Sequence, residues 1–233
     1  MATEKRVNFS IIKSKYNAMG KGNVRLTQSS LFLTQAIDPT KSTYDFDVLE
    51  NQTQTLSPDQ IRLNINDEFV TTAIGVYLYG RWTAVDSEGA KVGSGLQLMT
   101  YAPLELNAAN LSLKALYAGQ LKIAVNNIVY MEKYDLRKCE YIPRTEFAGQ
   151  LAGTNAATIA SNDFSKNAMN PLEPMLTLSG AKKNDVSIRL PEAISATTST
   201  FKDAAGNTIT IVIDRIALRL YGLNAQNGAK FQS

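Results

Sequence analysis

The sequence predicts an all-β sandwich, and three observations carry that prediction. Leu, Ile, Val and Thr recur in short alternating runs, which outnumber runs at helical spacing. Turn-forming clusters such as "DPTK", "SPDQ" and "DAAGN" separate those runs. Hydrophobic residues make up 44% of 233, enough for a real core in one large β domain or two small ones packed together.

The chain opens with a basic arm, residues 1–25. Phe9, Ile12, Tyr16 and Met19 fall three, four and three residues apart, one face of a short amphipathic helix. Asn8 is its candidate cap, and Gly20 and Gly22 are candidate stops. Over residues 1–26, Lys5, Arg6, Lys13, Lys15, Lys21 and Arg25 stand against Glu4 alone. The arm therefore carries +5 and the remainder −2 of a formal net charge of +3. Such an arm can meet phosphates or an anionic lipid surface, with Phe9, Ile12 and Tyr16 entering the interface. Alternatively its apolar face docks on the body or on a neighbouring subunit, and the lysines are simply solvated.

Strands follow. "SSLFLTQAI" and "TYDFDVLE" flank the "DPTK" turn, and "IRLNIND" alternates through Ile61, Leu63 and Ile65. "FVTTAIGVYLYGRWTAV" is rich in β-branched and aromatic residues and predicts a central strand or two. "DSEGAKVGSG" predicts a hairpin loop. "NAANLSLKALYAG" predicts one short inserted helix, with Asn107 as N-cap and Gly119 as stop. "QLKIAVNNIVYMEKYDL" predicts two strands joined at Asn126-Asn127. Residues 145–174 lose periodicity and predict a long loop that reaches a neighbour. "MLTLSG", "VSIRLPEAIS" and "NTITIVIDRIALRLYGLN" restore the strand pattern, and "AQNGAKFQS" predicts an exposed tail.

One signature occurs twice. "IGVYLYG" (74–80) and "IALRLYG" (216–222) share Ile-x-x-x-Leu-Tyr-Gly, and each follows an Ile-Arg-Leu run, "DQIRL" or "VSIRL". A polar turn and a further strand precede each run, in the same order. Two β units of similar design predict two tandem compact jelly rolls, 26–125 and 126–233, the second including the long loop. Each half is short for eight strands, so a single jelly roll with long insertions stays open.

Chemistry is absent from this pattern. The chain has no histidine, which removes the commonest general base near neutral pH and the commonest metal ligand. Cys139 stands alone and predicts a reduced, packed residue. Asp67-Glu68 are adjacent on a strand and point to opposite faces, so they predict solvated charges at a strand end. Asp45 and Asp47 share a strand face without EF-hand spacing. "GKGN" lacks the Walker pattern, and "GSG" lacks a strand-to-helix context. No enzyme activity, cofactor or metal is expected. The N-terminus lacks a signal-peptide pattern, and no apolar stretch approaches the roughly 20 residues of a membrane helix, so assembly in a cytoplasm is expected.

In "VNFSIIKSKYNAMGKG", "IRLNINDEFVTTAIGVYLYG" and "LKIAVNNIVYMEKYDLRKCEYIP" the chain resembles the major capsid proteins of small tailless icosahedral phages. The likeness lies in Asn/Thr/Gln-rich strands, a basic arm and missing catalytic motifs, and the chain is shorter than that family's pattern. It implies a homotrimer within a virion shell, other capsid proteins as partners, and an arm facing an internal membrane or the genome. The arm residues concerned are Lys5, Arg6, Phe9, Ile12, Lys13, Lys15, Tyr16, Lys21 and Arg25. The alternative is a β-sandwich binding module, such as a spike, fibre-associated or carbohydrate-binding virion protein, with Tyr79 and Trp82 as its candidate aromatics.

Overall fold

The computed structural model describes residues 2–20, 24–50, 60–102, 110–141, 168–202 and 206–231. Two strands dominate it, β3 (Glu68–Val85) and β10 (Thr208–Gln226), paired antiparallel from Val85–Thr208 to Glu68–Ala225. At about 3.3 Å per residue each spans roughly 60 Å. Each therefore has room on its outer side for two shorter strands end to end. Beside β10 lie β9 (Thr197–Lys202), against 208–213, and β1 (Arg25–Ala36), against 215–226. Beside β3 lie β4 (Lys91–Met99), against 78–85, and β7 (Asn170–Ser179), against 68–74. The sheet is thus four strands wide at both ends, β1-β10-β3-β7 at one and β9-β10-β3-β4 at the other.

The second sheet runs β2 (Thr43–Phe46), β8 (Asn184–Arg189), β5 (Gln120–Val125), β6 (Ile128–Asp135), again antiparallel throughout. A single buried cluster fills the space between the sheets. Leu33, Ile74, Val76, Leu78, Ile216 and Leu218 enter from one side, and Tyr44, Phe46, Leu121, Ile123 and Ile188 from the other. The chain is therefore an all-β sandwich with one N-terminal helix, α1 (Ala2–Ala18). A short helix, α2 (Asn110–Leu113), continues as a 3₁₀ turn over Lys114–Leu116, where the inserted helix is expected. Its expected cap, Asn107, lies outside the described residues.

The repeated signature belongs to one sheet. Ile74, Val76 and Leu78 sit opposite Leu220, Leu218 and Ile216, so the two copies are antiparallel neighbours that face one core. Each copy ends in Tyr-Gly beside a bulge in the other strand. Asp214 is the extra residue opposite Tyr79-Gly80, and Thr72 is the extra residue opposite Tyr221-Gly222. The bulged backbone occupies the space that a side chain would need. A Cβ on Gly80 would lie 2.6 Å from the Val212 carbonyl oxygen, and one on Gly222 would run into the carbonyl of Val70.

The bulges also reset the alternation. Phe69 faces the core before Thr72, and Ile74, Val76 and Leu78 face it after. Ile211 and Ile213 face it before Asp214, and Ile216, Leu218 and Leu220 after. One extra residue switches the core face from odd to even positions.

Several expectations are corrected. The boundary at 125/126 falls inside the β5–β6 hairpin, and both sheets take strands from each side of it. The two Ile-Arg-Leu runs are not equivalent. Residues 186–189 lie in β8, whereas Ile61 and Leu63 make only isolated bridges, to Phe32 and Leu49. Ile61 and Ile65 are exposed, so "IRLNIND" is no alternating strand. Gly93 and Gly95 are strand residues of β4 rather than loop, and the Trp82 ring lies across both. The Thr/Ser-rich stretch between "VSIRLPEAIS" and the "DAAGN" turn, which lacks apolar alternation, forms β9. Of the long loop 145–174, residues 170–174 begin β7, and 145–167 lie outside the described residues. The tail is not exposed throughout, since Ala225 and Ala229 are buried. Helix α1 runs through Asn8 rather than starting there.

Gly222→Ala is expected to lower stability by at least about 1–3 kcal/mol, the usual cost of overpacking. Ser94→Ala, on exposed β4 surface, is expected to stay within about 0.5 kcal/mol. Urea denaturation of the two variants checks both.

Candidate functional site

The features that could act outward are the arm and the open strand edges. Helix α1 lies on the outer face of the first sheet, away from the core. Ile12 and Tyr16 are buried there against Val70, Leu223 and Ala225, with Val24, Leu26 and Met175 around them. This docking face forms because Ile12 and Tyr16 are four residues apart on one side of the helix.

A buried polar contact sits beneath it. The Tyr16 hydroxyl donates to Glu68 Oε2 at 2.8 Å, and Glu68 is only 4% exposed. Burial, with the Glu68 carboxylate beside it, holds the Tyr16 phenol far above its ordinary range. The neighbouring Asp67 does different work. Its carboxylate accepts from Asn224 Nδ2 at 3.0 Å and from the Asn227 backbone N–H at 2.8 Å, which fixes the end of β10. The expectation of two solvated charges is corrected: both carboxylates are engaged, and Glu68 is buried.

The arm residues fall into distinct groups. Ile12 and Tyr16 are held by the chain's own body, so they do not present themselves to an outside partner as the interface reading expects. Phe9, Met19, Lys13, Lys15 and Arg25 are exposed. Lys5 and Arg6 lie on α1, and Lys21 lies outside the described residues.

The candidate aromatics do not line an open groove. Tyr79 is buried on the outer face of the first sheet, edge-on to Phe32 with ring centres 5.5 Å apart. Trp82 is half-buried over the β4 glycines. Elsewhere, two edge strands carry exposed apolar side chains and have no partner on one side among the described residues. Ile128, Val129 and Tyr130 are exposed on β6, the last strand of the second sheet, and Val92 and Leu96 are exposed on β4. The sequence pattern predicts a hairpin strand for β6 and a hairpin loop for most of β4. Which strand would end at a sheet edge depends on pairing, which the residues of β6 alone do not encode.

Cys139 is buried, and that burial pushes its thiol up to about 11. Asp45 and Asp47 are exposed, with Asp47 3.9 Å from Arg62. Among the described residues no group of three acidic, cysteine or histidine side chains is placed to hold a metal ion. No helix among them is long and apolar enough to cross a membrane. A shallow cleft of about 350 Å³ lies beside α2, where Lys114 and Arg137 are matched by Glu140 and Glu192.

No family model, curated protein or solved structure matches this chain.

Tyr16→Phe is expected to cost about 1–3 kcal/mol, because it strips a hydrogen bond from a buried carboxylate. The raised phenol pKa gives the sign with pH. Its stabilising contribution is complete below about pH 10, the unfolded value, and is lost as pH rises beyond it. Denaturation at pH 8 and pH 11 should therefore show a smaller alkaline loss in Tyr16→Phe than in wild type. Cys139 is expected to resist thiol reagents at pH 8 in the folded chain and to react on unfolding.

Proposed function

We propose that this chain is a virion structural protein, a self-assembling capsid subunit of a tailless bacteriophage. The observation that carries the reading is the pair of open strand edges with exposed apolar residues, Val92 and Leu96 on β4 and Ile128, Val129 and Tyr130 on β6. Folded monomers blunt such edges with charge, proline or cover. Here Glu132, Lys133 and Asp135 charge the later half of β6 and Lys91 the start of β4, while the stretches 128–130 and 92–96 stay uncharged and open to pairing among the described residues.

Strand order supports the same class. The facing sets β1-β10-β3-β7 and β2-β8-β5-β6 follow the order of one eight-stranded jelly roll, with β4 and β9 as extensions of its long central strands. Viral shells use that architecture, and so do lectins and cupins, so the fold alone is an analogy. The chain lacks the histidines of a cupin-type metal site. Its best lectin-type aromatics, Tyr79 and Trp82, are spent on packing.

In this reading the partner is first of all a second copy, in a homotrimer within an icosahedral shell, together with other capsid proteins. The arm meets the interior, membrane or genome, through Lys13, Lys15 and the exposed side of Phe9, while Ile12 and Tyr16 anchor it to the body. Localisation is the virion.

Light scattering coupled to size exclusion tests this. Full-length protein should elute as trimers or larger particles, and Val129→Lys, which charges the β6 edge, should shift it towards smaller species. A full-length monomer at high concentration would sink the capsid reading and favour the binding-module alternative.

A further inference from the structure

The underside of the arm holds a cleft that nothing above uses. It is about 210 Å³ in volume and lies where the C-terminal end of α1 meets the end of the sandwich. Two hairpin turns meet there, with the Asn126 N–H donating to the Lys183 carbonyl at 2.8 Å. The arm contributes Lys15, Tyr16 and Met19 to the cleft wall, and the body contributes Glu68, Tyr130 and Lys182 among others.

Three kinds of surface converge. Lys15 and Lys182 bring two cations from separate elements, both on exposed positions. Glu68 is the wall's one carboxylate, and it already accepts the Tyr16 hydroxyl. Ser179 also lines the wall, 2% exposed, and its Oγ has no hydrogen-bond partner among the described residues. Met19 and Tyr130 form an apolar lip and are 58% and 57% exposed.

We propose that this cleft binds a phosphate monoester carrying an apolar substituent. The two lysines outnumber the wall's one carboxylate, whose Oε2 already accepts the Tyr16 hydroxyl, so the rim is left cationic. A phosphate monoester carries about −1.5 to −2 charge at neutral pH and has enough acceptor oxygens to reach both lysines and a hydroxyl at once. The buried hydroxyl of Ser179 offers a further donor once the side chain turns outward. The apolar substituent lies across Met19 and Tyr130 and covers surface that is otherwise wet. Because Lys15 belongs to the arm and Lys182 to the body, the ligand also clamps one to the other. The site does not rest on the capsid reading, and it is testable on soluble protein whatever the assembly state.

Isothermal titration of the full chain with octyl phosphate tests it. Saturable binding is expected, at least tenfold tighter than for inorganic phosphate. Lys15→Gln and Lys182→Gln should each weaken it at least fivefold, and both lysines are exposed, so the fold should persist. Tyr130→Ser should weaken octyl phosphate and leave inorganic phosphate unchanged. Binding of neutral octyl glucoside as tight as octyl phosphate would overturn the proposal, as would unchanged affinity in Lys182→Gln. Flotation with vesicles containing phosphatidic acid, whose headgroup is a phosphate monoester, separates the sources. Lysine-dependent binding to both probes assigns the phosphate to a lipid headgroup, and binding of octyl phosphate alone assigns it to a free ligand. Binding to vesicles or to nucleic acid without octyl phosphate binding would overturn the site in favour of general surface charge.

Discussion

The antiparallel pairing of β3 with β10 is the constraint on which the rest of the molecule depends. These strands are near neighbours in space but about 140 residues apart in sequence, so the sheet closes only when both ends of the chain are present. The other strands of the first sheet are attached to one or the other. The pairing also sets the core, because Ile74, Val76 and Leu78 are brought opposite Leu220, Leu218 and Ile216. Two bulges keep that alignment over such length. A ladder of seventeen or more residues accumulates twist, and a bulge absorbs it while letting the apolar set return to the core face. The glycines at 80 and 222 are the local requirement of that solution, since each bulge pushes a carbonyl into the position of a side chain.

The same pairing produces the arm site. Where β3 begins, Glu68 sits opposite Ala225 on one side and Ser179 on the other, which puts a carboxylate in the middle of a sheet face. A buried carboxylate is tolerated only with partners. The Tyr16 hydroxyl is one, and the helix carrying it covers Val70 and Leu223 at the same time. A helix of this length is marginal by itself in water. Burying Ile12 contributes about 1.5–3 kcal/mol, while ordering backbone costs about 1–2 kcal/mol per residue before helix hydrogen bonds are counted. Apolar contact and the Tyr16–Glu68 bond are thus both needed, and the sheet face and the arm complete each other.

Much of this was legible in the residues. Alternation found β1, β5, β8 and β10, Asn126-Asn127 gave the hairpin turn with both residues at positive φ, and the helical spacing found the docked Ile12 and Tyr16, whereas Phe9 and Met19 at the ends of that face are exposed. The duplicated signature was real as a pattern and misleading as a domain count. Identical needs, a core-facing strand ending beside a bulge, arise on both members of one pair as readily as in two separate units. What stayed hidden was non-local. The Thr/Ser-rich β9 lacks apolar alternation and becomes a strand only because β10 offers an edge. Gly93 and Gly95 look like loop until Trp82 is seen lying on them. Glu68 reads as solvated because nothing near it in sequence announces Tyr16, 52 residues away.

The distribution of polar groups then argues for what kind of protein this is. Among the described residues the strongly perturbed groups are Tyr16, Tyr77, Tyr117, Tyr134 and Cys139, and in each burial is the leading cause. Tyr117 donates to the Met99 carbonyl and Cys139 accepts from Asn170, so their polarity is consumed in holding strands and connections together. Among the described residues, what the chain leaves outward is apolar side chains on the edge strands β6 and β4, and an arm with exposed Lys13 and Lys15. Such a surface gains from being covered. Backbone donors and acceptors along an open edge are satisfied by another strand as well as by water, and the adjoining Ile128, Val129 and Tyr130 then leave water too. In the proposed capsid reading, contact between copies would thus have a directional and an apolar driving force in the same place, and a repeating assembly would use both edges at once.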